Sequence, residues 1–321
     1  MERRALVGLA SAAILSSASV VKAQPQRPPL RIVVPYGPGG STDAIARVLA
    51  ASLAPKLRRT VIVENRGGAG GLIGVRFVQS APPDGNVLLF TPPGYITLTM
   101  VNRAAGYDPV KDFEPVALVG SSPLFLMVHK DIPATTVQEF IAFAKSQPDG
   151  INVANAGMGS VGHIAAMLFE HQTGVKLTHV AYRGTAEAGL ALISGVVKMQ
   201  INSTTLATNE AMRNGTIRFL AVIAESRSSL APEVPVIGDV FRGAGAEPWY
   251  GFLGPPGLPA GFVQEMDVAL RAALEESEVQ GSFAAGAIQT TFRPAAEMQA
   301  VVRSSTEFWR RAFRELNIAP Q

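Results

Sequence analysis

The sequence predicts an α/β protein made of two units, each of ordinary domain size. The chain has 321 residues, of which 47% are hydrophobic, so it can bury two sizeable cores. Short apolar runs alternate with longer amphipathic segments, which is typical of parallel strands joined by crossover helices. This alternation occurs in two separate series along the chain, and each series predicts one unit.

The first series lies near the N-terminus. Apolar residues at positions 45, 48, 49, 53 and 57 recur at helical spacing, with Ser41 or Thr42 placed to cap the helix and Asp43 in its positive first turn. The strands of this series are predicted at 31–34, 60–63 and 86–90.

The second series lies in the middle of the chain. Segments 116–129 and 217–223 join it to the rest, and we expect them to pair as crossing strands that form a hinge. Its strands are predicted at 151–154, 177–181 and 199–201, and its helices at 160–172, 185–193 and about 204–214.

The C-terminal part predicts two helices, one over 263–274 and one after Pro294. The second carries an apolar stripe on one face and charged residues on the other, so we expect the stripe to be core and this end to fold back onto the first unit. The stripe consists of Met298, Val301, Val302, Ser305, Phe308, Trp309, Ala312, Phe313 and Leu316.

The N-terminus has the pattern of a secretory signal peptide. Arg3 and Arg4 precede an apolar run over 5–21, and small residues at Val21 and Ala23 suit cleavage after Ala23. A twin-arginine signal stays an alternative to the general export route. We therefore expect an exported, periplasmic protein, released as a soluble monomer.

Charge and cysteine content exclude several classes of function. Removing residues 1–23 leaves 25 basic and 24 acidic side chains of the original 28 and 25, so the mature chain has no basic footprint for nucleic acid. The sequence has no cysteine, which excludes disulfides, thiolate catalysis and a lipid-modified N-terminal cysteine.

A G-x-G-x-x-G motif is spelled by Gly157, Gly159 and Gly162. A dinucleotide site would require an acidic residue at the end of the next strand, where Tyr182 and Arg183 stand instead. An arginine there suits a 2′-phosphate, but a lone glycine motif is weak support, and we expect no nucleotide cofactor.

The sequence motifs also give little support for a serine hydrolase or for a metal site. Met158 stands where the nucleophile elbow of a serine hydrolase needs glycine. The four histidines show neither the pairing nor the neighbouring carboxylates of a metal site, and we expect His163 to make a structural contact in the first turn of its helix. We therefore expect no metal and no catalytic residue.

Glycine-rich turns between a strand and a helix occur three times, at 34–43, 64–74 and 155–163. Glycine lets backbone N–H groups face outward ahead of a helix N-terminus, and that arrangement suits an anion. Ser41, Thr42 and Asp43 add polar groups to the first turn, which favours binding there. For the second turn, a purely structural role in reversing the chain direction is as well supported as anion binding.

Seven segments stand in a fixed order along nearly the whole mature chain. They are "IVVPYGPGGSTDAIARVLA" (32–50), "VIVENRGGAGGLIG" (61–74), "APPDG" (81–85), "YDPVKDFEPVALVG" (107–120), "AGMGSVGHIAAMLF" (156–169), "VAYRGTAEA" (180–188) and "YGFLGPPGLP" (250–259). Together they resemble the successive signatures of the tripartite tricarboxylate transporter receptor family, also called Bug proteins.

The resemblance implies a two-lobed periplasmic binding protein of type II, a flytrap with a hinge of crossing strands. Such a receptor captures a small carboxylate between its lobes and delivers it to a membrane permease. The first lobe would comprise 24–125 and 246–321 and the second 126–245, with the second crossing placed near 245 or near 223. A ligand-sensing partner of a sensor kinase and an exported α/β hydrolase are the alternatives.

The resemblance also implies which residues bind the ligand. On the first lobe they are Tyr36, Gly39, Gly40, Ser41, Thr42 and Asp43. On the second lobe they are Ser160, His163, Tyr182, Gly184, Thr185, Asn202 and Ser203.

Departures from the family pattern bear on the ligand. Many relatives have aspartate where Asn202 stands, so an amino-acid ligand is disfavoured. Met158, Val161 and Tyr95 of the loop "TPPGYIT" (91–97) make the expected pocket more apolar. The favoured ligands are aromatic or long-chain carboxylates, or dicarboxylates, rather than citrate.

Overall fold

The computed structural model describes residues 27–223, 231–238 and 248–315. The expected signal peptide and Leu316 of the apolar stripe lie outside the described residues. The described part contains two β-sheets with helices packed on them, so the α/β prediction is confirmed. We call each sheet with its helices a lobe. No helix in the described ranges combines the length and apolar character needed to cross a membrane.

The first lobe holds a sheet of six strands in the order β11-β4-β10-β3-β1-β2. Strand β1 pairs in parallel with β2 and β3, as the sequence predicts, whereas β10 and β11 join in antiparallel orientation. In chain order its N-terminal elements are β1 (Leu30–Val34), α1 (Ser41–Leu57), β2 (Val61–Asn65), α2 (Leu72–Gln79), β3 (Val87–Thr91), α3 (Gly94–Val101) and β4 (Glu114–Ser121).

The second lobe holds a sheet of five strands in the order β7-β6-β8-β5-β9. Strand β6 is parallel to β7 and β8, and β5 is antiparallel to β8 and β9. Its elements are β5 (Leu124–His129), α4 (Val137–Lys145), β6 (Ile151–Asn155), α5 (Val161–Thr173), β7 (Leu177–Ala181), α6 (Thr185–Ile193), β8 (Met199–Asn202), α7 (Leu206–Arg213) and β9 (Ile217–Ile223).

The chain crosses between the lobes at Ser122 and Pro123. The extended segment predicted at 116–129 is therefore two strands, β4 and β5, which belong to different sheets. After β9 the chain returns to the first sheet at β10, and the Ser122 N–H donates to the Pro248 carbonyl at 2.9 Å. The outgoing and returning segments thus lie side by side at Ser122 and Pro248. The predicted pairing of 217–223 with the outgoing segment is found between β9 and β5, but both strands belong to the second sheet, so β9 is not a crossing strand.

The last described elements lie on the first lobe. The elements after the return crossing are β10 (Trp249–Gly254), α8 (Ala260–Leu274), α9 (Ser277–Ala285), β11 (Gln289–Pro294) and α10 (Ala295–Glu315). Helix α10 packs against β4 and α3, and the Trp249 indole N–H donates to Ser305 Oγ at 3.2 Å. Met298, Val302, Trp309 and Phe313 are buried, as the stripe predicts.

Replacing the buried tryptophan of this stripe should destabilise the protein. Trp309 is 1% exposed, so Trp309→Ala leaves a cavity and should lower the free energy of unfolding by about 3–5 kcal/mol. Arg310→Ala alters the exposed neighbouring residue and should change stability by less than about 0.5 kcal/mol. Urea unfolding of both variants checks this; equal stability of the two would contradict the packing of α10.

Candidate functional site

The turns that follow β1, β6, β7 and β8 meet between the lobes around one small cavity. We call this cavity, of about 30 Å³, the central cavity. Neither a carboxylate nor a cationic side chain of the described residues lines it. Its lining consists of Tyr36, Ser41, Thr42, Pro92, Leu124, Ala156, Ser160, Val161, Gly162, Thr185, Asn202, Ser203, Pro248 and Tyr250.

Two helix N-termini from opposite lobes converge beside this cavity. Helices α1 and α6 both begin without a hydrogen bond from a capping side chain, so their first N–H groups lack partners within the helix. A β-carbon placed on Gly40 would lie 3.7 Å from the backbone nitrogens of both Thr185 and Ala186. The two positive helix ends are therefore almost in contact, and an anion between them would stabilise both.

Asp43 holds the first glycine-rich turn in shape. Its Oδ2 accepts from the Gly39 N–H at 2.9 Å and from Arg47 Nε at 3.0 Å, and its Oδ1 accepts from Asn65 Nδ2 at 2.9 Å. Burial raises the pKa of Asp43, but the hydrogen bonds from Arg47, Gly39 and Asn65 outweigh it and lower the pKa overall. The carboxylate is thus ionised and bound to its own loop, and it does not line the central cavity.

The turn after β6 uses its own side chains to bind its N–H groups. Asn155 Oδ1 accepts from the Gly157 N–H at 3.0 Å, and His163 Nδ1 accepts from the Gly159 N–H at 3.1 Å. Ser160 Oγ accepts from the His163 N–H at 3.3 Å and so caps α5. Two amides that a phosphate would need in a dinucleotide loop therefore already have acceptors within the protein.

His163 lies behind this turn and not in the cavity. It is 2% exposed, and since its Nδ1 accepts a hydrogen bond, the neutral ring carries its proton on Nε2. Burial lowers the pKa of His163 to about 4, helped by the charge of His179, whose ring centroid lies 5.0 Å away. His163 therefore makes the structural contact that its place in the first turn predicts.

Asn202 places an unpartnered donor at the cavity. The residue is 7% exposed, and its Oδ1 accepts from the Ser203 N–H at 3.0 Å. Its Nδ2 has no hydrogen-bond acceptor among the described residues. An unpaired buried donor costs about 1–3 kcal/mol, so an acceptor atom in the cavity would remove that penalty.

Two buried tyrosines add neutral hydroxyl groups to the lining. The Tyr250 hydroxyl donates to Ser41 Oγ at 3.2 Å and also interacts with Ser203 of the other lobe. Burial raises the pKa of Tyr36 to about 12 and also raises that of Tyr250, so both hydroxyls stay protonated at neutral pH. Sequence reasoning missed Tyr250 as a site residue, although it is the first residue of the segment 250–259 that carries the family resemblance and the second residue of β10.

Eight of the residues expected at the site line the central cavity, and the other eight do not. Tyr95 is the clearest correction, because 94–97 belongs to helix α3 and not to a loop, and the ring lies in the core against Phe113 and Trp249. Those that line the cavity are Tyr36, Ser41, Thr42, Ser160, Val161, Thr185, Asn202 and Ser203. Gly39, Gly40, Asp43, Met158, His163, Tyr182 and Gly184 do not.

Two larger cavities flank the central one. The side cavity, of about 430 Å³, shares Tyr36 and Ala156 with it and is also lined by Met158, Tyr182 and Arg183. The apolar groove, of about 380 Å³, shares Ser41 with the central cavity and runs between α1, α6, α7 and α9. The side cavity and the apolar groove each share lining residues with the central cavity, and all three lie where residues of the two lobes meet; we call this region the crevice.

The lobes are in direct contact along this crevice. The Gly37 N–H donates to the Arg183 carbonyl at 2.8 Å, and Thr97 Oγ1 donates to the Gly159 carbonyl at 2.6 Å. The second glycine-rich turn also packs on the second lobe, since a β-carbon on Gly70 would lie 2.0 Å from the Met158 carbonyl oxygen. This turn is thus a lobe contact, and the conformation described is closed.

Comparisons with known proteins agree with this architecture. A model described as "Tripartite tricarboxylate transporter family receptor" matches residues 45–318. A protein of Pseudomonas sp. (strain P51), "UPF0065 protein in tcbD-tcbE intergenic region", is 31% identical over 98% of this chain and 95% of its own length.

Solved structures of similar proteins cover most of the chain. The periplasmic binding protein BugD superposes with a TM-score of 0.85 at 30% identity, over 91% of this chain and 99% of its own. Rpa4515 of R. palustris, solved with adipate, gives the same TM-score of 0.85 at 30% identity, over 91% of this chain and 98% of its own. The chain therefore has the fold of periplasmic binding proteins.

The lowered pKa of His163 predicts a loss of stability in mild acid. Its folded pKa of about 4 lies below the ordinary value of 6.5, so between these values the unfolded chain binds the proton more readily. The neutral ring therefore contributes its full share to the free energy of unfolding above pH 6.5. This contribution should fall by about 2 kcal/mol by pH 5. In His163→Gln, where the side-chain oxygen can still accept from Gly159 but cannot be protonated, this share of the loss should vanish. Urea unfolding of both proteins at pH 7 and pH 5 tests this prediction. If both proteins lose the same unfolding free energy between the two pH values, the prediction is wrong.

Proposed function

The chain belongs to the tripartite tricarboxylate transporter receptor family, and from this premise we propose that it is a periplasmic solute-binding receptor for a small carboxylate. The central cavity holds a carboxylate group of the ligand between the two lobes. The closed protein then presents that ligand to a membrane permease, without any chemical step.

The convergence of the α1 and α6 N-termini carries this proposal. A helix N-terminus stabilises a negative charge by about 0.3–1 kcal/mol at an exposed site and up to about 2 kcal/mol where it is partly buried. Hydroxyl groups from both lobes surround the same point, among them Ser41, Thr42, Ser160 and Thr185. A carboxylate, which only accepts hydrogen bonds, matches this set of donors.

The lining also disfavours ligands with a cationic group at this position. A bound ammonium group would face two positive helix ends, and no carboxylate of the described residues lines the central cavity. The unpartnered Asn202 Nδ2 calls for an acceptor oxygen instead. The group held here is thus an acid, and a free α-amino group would have no partner beside it.

Ligand capture requires the lobes to separate and close again. The central cavity of about 30 Å³ has room for only one or two water molecules, and its walls come from both lobes. The crossing segments at Ser122 and Pro248 are the natural hinge. A ligand that contacts both lobes favours the closed state, which is the form a permease would recognise.

Changing the unpartnered amide to a carboxylate should abolish tight binding. Asn202→Asp removes the free donor and adds a negative charge facing the ligand, so the Kd should rise by roughly 10- to 150-fold. Asn152→Asp makes the same chemical change at an exposed position of β6 and should leave the Kd unchanged. Protein stripped of bound ligand by unfolding and refolding is titrated calorimetrically with mono-, di- and tricarboxylates and aromatic acids. If no acid binds, or if Asn202→Asp binds as tightly as the unaltered protein, the proposed site is wrong.

A side chain at the lobe contact should keep the lobes from closing. In Gly70→Ala the new methyl group meets the Met158 carbonyl oxygen of the other lobe, so ligand should bind more weakly and compact the protein less. Gly215→Ala is the matched control, because its φ of +76° resembles the +69° of Gly70 but nothing lies within 4 Å of its β-carbon. Both changes share the cost of about 1 kcal/mol for a left-handed alanine. Small-angle scattering with and without ligand measures compaction, and equal compaction of the two variants would refute the effect.

A further inference from the structure

One hydrogen bond joins helix α3 of the first lobe directly to the turn after β6 in the second lobe. Thr97 Oγ1 donates to the Gly159 carbonyl at 2.6 Å, and the Thr97 side chain is fully buried. Gly159 has a φ of +81°, and a β-carbon there would lie 2.9 Å from side-chain atoms of both Leu98 and Val101. The backbone of the turn thus packs closely on α3. We call the Thr97–Gly159 hydrogen bond the lobe latch.

The lobe latch can open without leaving the Thr97 hydroxyl unpaired. The Gly94 carbonyl of the same helix lies 3.2 Å from Thr97 Oγ1 and is a second acceptor for its hydrogen. Because a hydroxyl has a single hydrogen, it can donate to Gly159 when the lobes are closed and to Gly94 when they separate. The strength of the latch therefore depends on how firmly the Gly159 carbonyl is held in position.

His163 holds this carbonyl from behind. Its Nδ1 accepts from the Gly159 N–H at 3.1 Å, so the peptide groups of this glycine are bound by His163 on one side and by Thr97 on the other. Asn155 supports the same turn by accepting from the Gly157 N–H at 3.0 Å. Of these two supporting side chains, only His163 can change from acceptor to donor, because a protonated imidazole carries hydrogen on both nitrogens. A proton on Nδ1 would face the Gly159 N–H and displace the turn.

Few titratable groups lie on α5 or on the elements packed against it, since β6 and β8 have none. They are His179 on β7, Glu170 and His171 on α5, Tyr95 on α3, and Glu139 and Lys145 on α4. The His179 ring centroid lies 5.0 Å from that of His163, and its Nε2 lies 3.1 Å from Glu170 Oε2. The Tyr95 hydroxyl donates to the Pro109 carbonyl within the first lobe at 3.4 Å. Burial and the charge of His179 lower the pKa of His163 to about 4, so the ring is neutral in the closed protein at pH 7.

We propose that His163 is a positioning residue for lobe closure, which holds the Gly159 carbonyl where Thr97 of the other lobe donates to it. His163 then strengthens ligand binding without touching the ligand, because a ligand held between the lobes binds best to the closed state. This inference rests on the proposed ligand-driven closure and adds a residue that couples the turn after β6 to the first lobe.

Protonation of His163 should favour the open state. The pKa of about 4 belongs to the closed protein, and it should rise towards the ordinary value of 6.5 when the turn leaves α3 and water reaches the ring. The preference of His163 for the closed state is thus complete above pH 6.5 and is lost as the pH falls. If opening restored the ordinary pKa fully, the ratio of closed to open protein would fall by up to about 20-fold between pH 7 and pH 5.

Two threonines of the same helix test the lobe latch. Thr97→Val removes the hydroxyl and keeps the shape of the side chain. Thr99→Val makes the same chemical change as a matched control, because the Thr99 hydroxyl donates to the Ile96 carbonyl of its own helix at 2.7 Å. Thr97→Val should raise the Kd of a bound acid roughly 3- to 10-fold, and Thr99→Val should leave the Kd unchanged. The Kd is measured calorimetrically with succinate, adipate, benzoate and citrate.

The distance between the lobes is measured in the same variants with spin labels. The chain has no cysteine, so labels attach only at Ile62→Cys on the first lobe and Val196→Cys on the second. Both positions are exposed and lie outside the three cavities. Double electron–electron resonance gives the distance with and without each acid, at pH 7 and pH 5. Thr97→Val should populate longer distances than Thr99→Val.

A glutamine at position 163 separates positioning from simple stabilisation of the fold. In His163→Gln the side-chain oxygen can accept from the Gly159 N–H but cannot be protonated. The Kd of the unaltered protein should therefore rise from pH 7 to pH 5 by up to about 20-fold more than that of His163→Gln. Protonation of the acid itself affects both proteins equally. His163→Ala combined with Thr97→Val should weaken binding no more than the stronger single change, because both act on one contact.

The remaining outcomes separate this inference from the receptor function. Equal distances in Thr97→Val and Thr99→Val, with and without acid, would overturn the lobe latch. An equal change of Kd with pH in the unaltered protein and in His163→Gln would overturn the role of His163, and the receptor function would stand. If no acid binds or shortens the distance in the unaltered protein, the receptor proposal fails, and the ligand-free distances of the variants at both pH values decide the inference by themselves.

Discussion

The architecture of the site depends on bringing two uncapped helix N-termini together. Helix α1 of the first lobe and α6 of the second approach so closely at Gly40 and Thr185 that a single methyl group would fill the gap. Their partial positive charges repel one another, so the closed arrangement is least favourable when nothing negative lies nearby. An anion in the crevice converts this repulsion into two attractions. One electrostatic feature can thus couple occupancy of the crevice to closure of the lobes.

Much of the remaining polar structure keeps this meeting point rigid. Asp43 binds Gly39, Asn65 and Arg47, and His163 binds Gly159, so the turns that surround the crevice are held from behind. These contacts explain why acidic and imidazole groups lie near the proposed anion site. They face the loops and not the ligand, and a preorganised loop loses less entropy when a ligand binds.

The fold and the outline of the site were predictable from local patterns, and the errors have physical reasons. The turns at Ser41, Ser160 and Thr185 follow apolar strands, and carboxyl ends of parallel strands meet at one edge of a sheet. The direction of a side chain cannot be predicted from local sequence. An acid in a first helical turn can face a ligand or bind its own loop, as Asp43 does.

Two tyrosines were misplaced because their positions depend on long-range packing. Tyr95 lies shortly after two prolines, which predicts a loop, yet tertiary packing of its ring buries helix α3. Tyr250 reaches the cavity only because β10 inserts between β3 and β4, a pairing distant in sequence.

The neutral lining of the central cavity fits a receptor that must release what it binds. A buried cation would hold a carboxylate strongly, but it would be costly to desolvate whenever the lobes opened and closed without ligand. Hydroxyls, an amide and helix N-termini accept an anion at smaller cost and do not trap it. The site then distinguishes ligands through buried polar groups that a wrong ligand leaves without a hydrogen-bond partner. With an ammonium group in the cavity, the Asn202 amide N–H would remain unpaired.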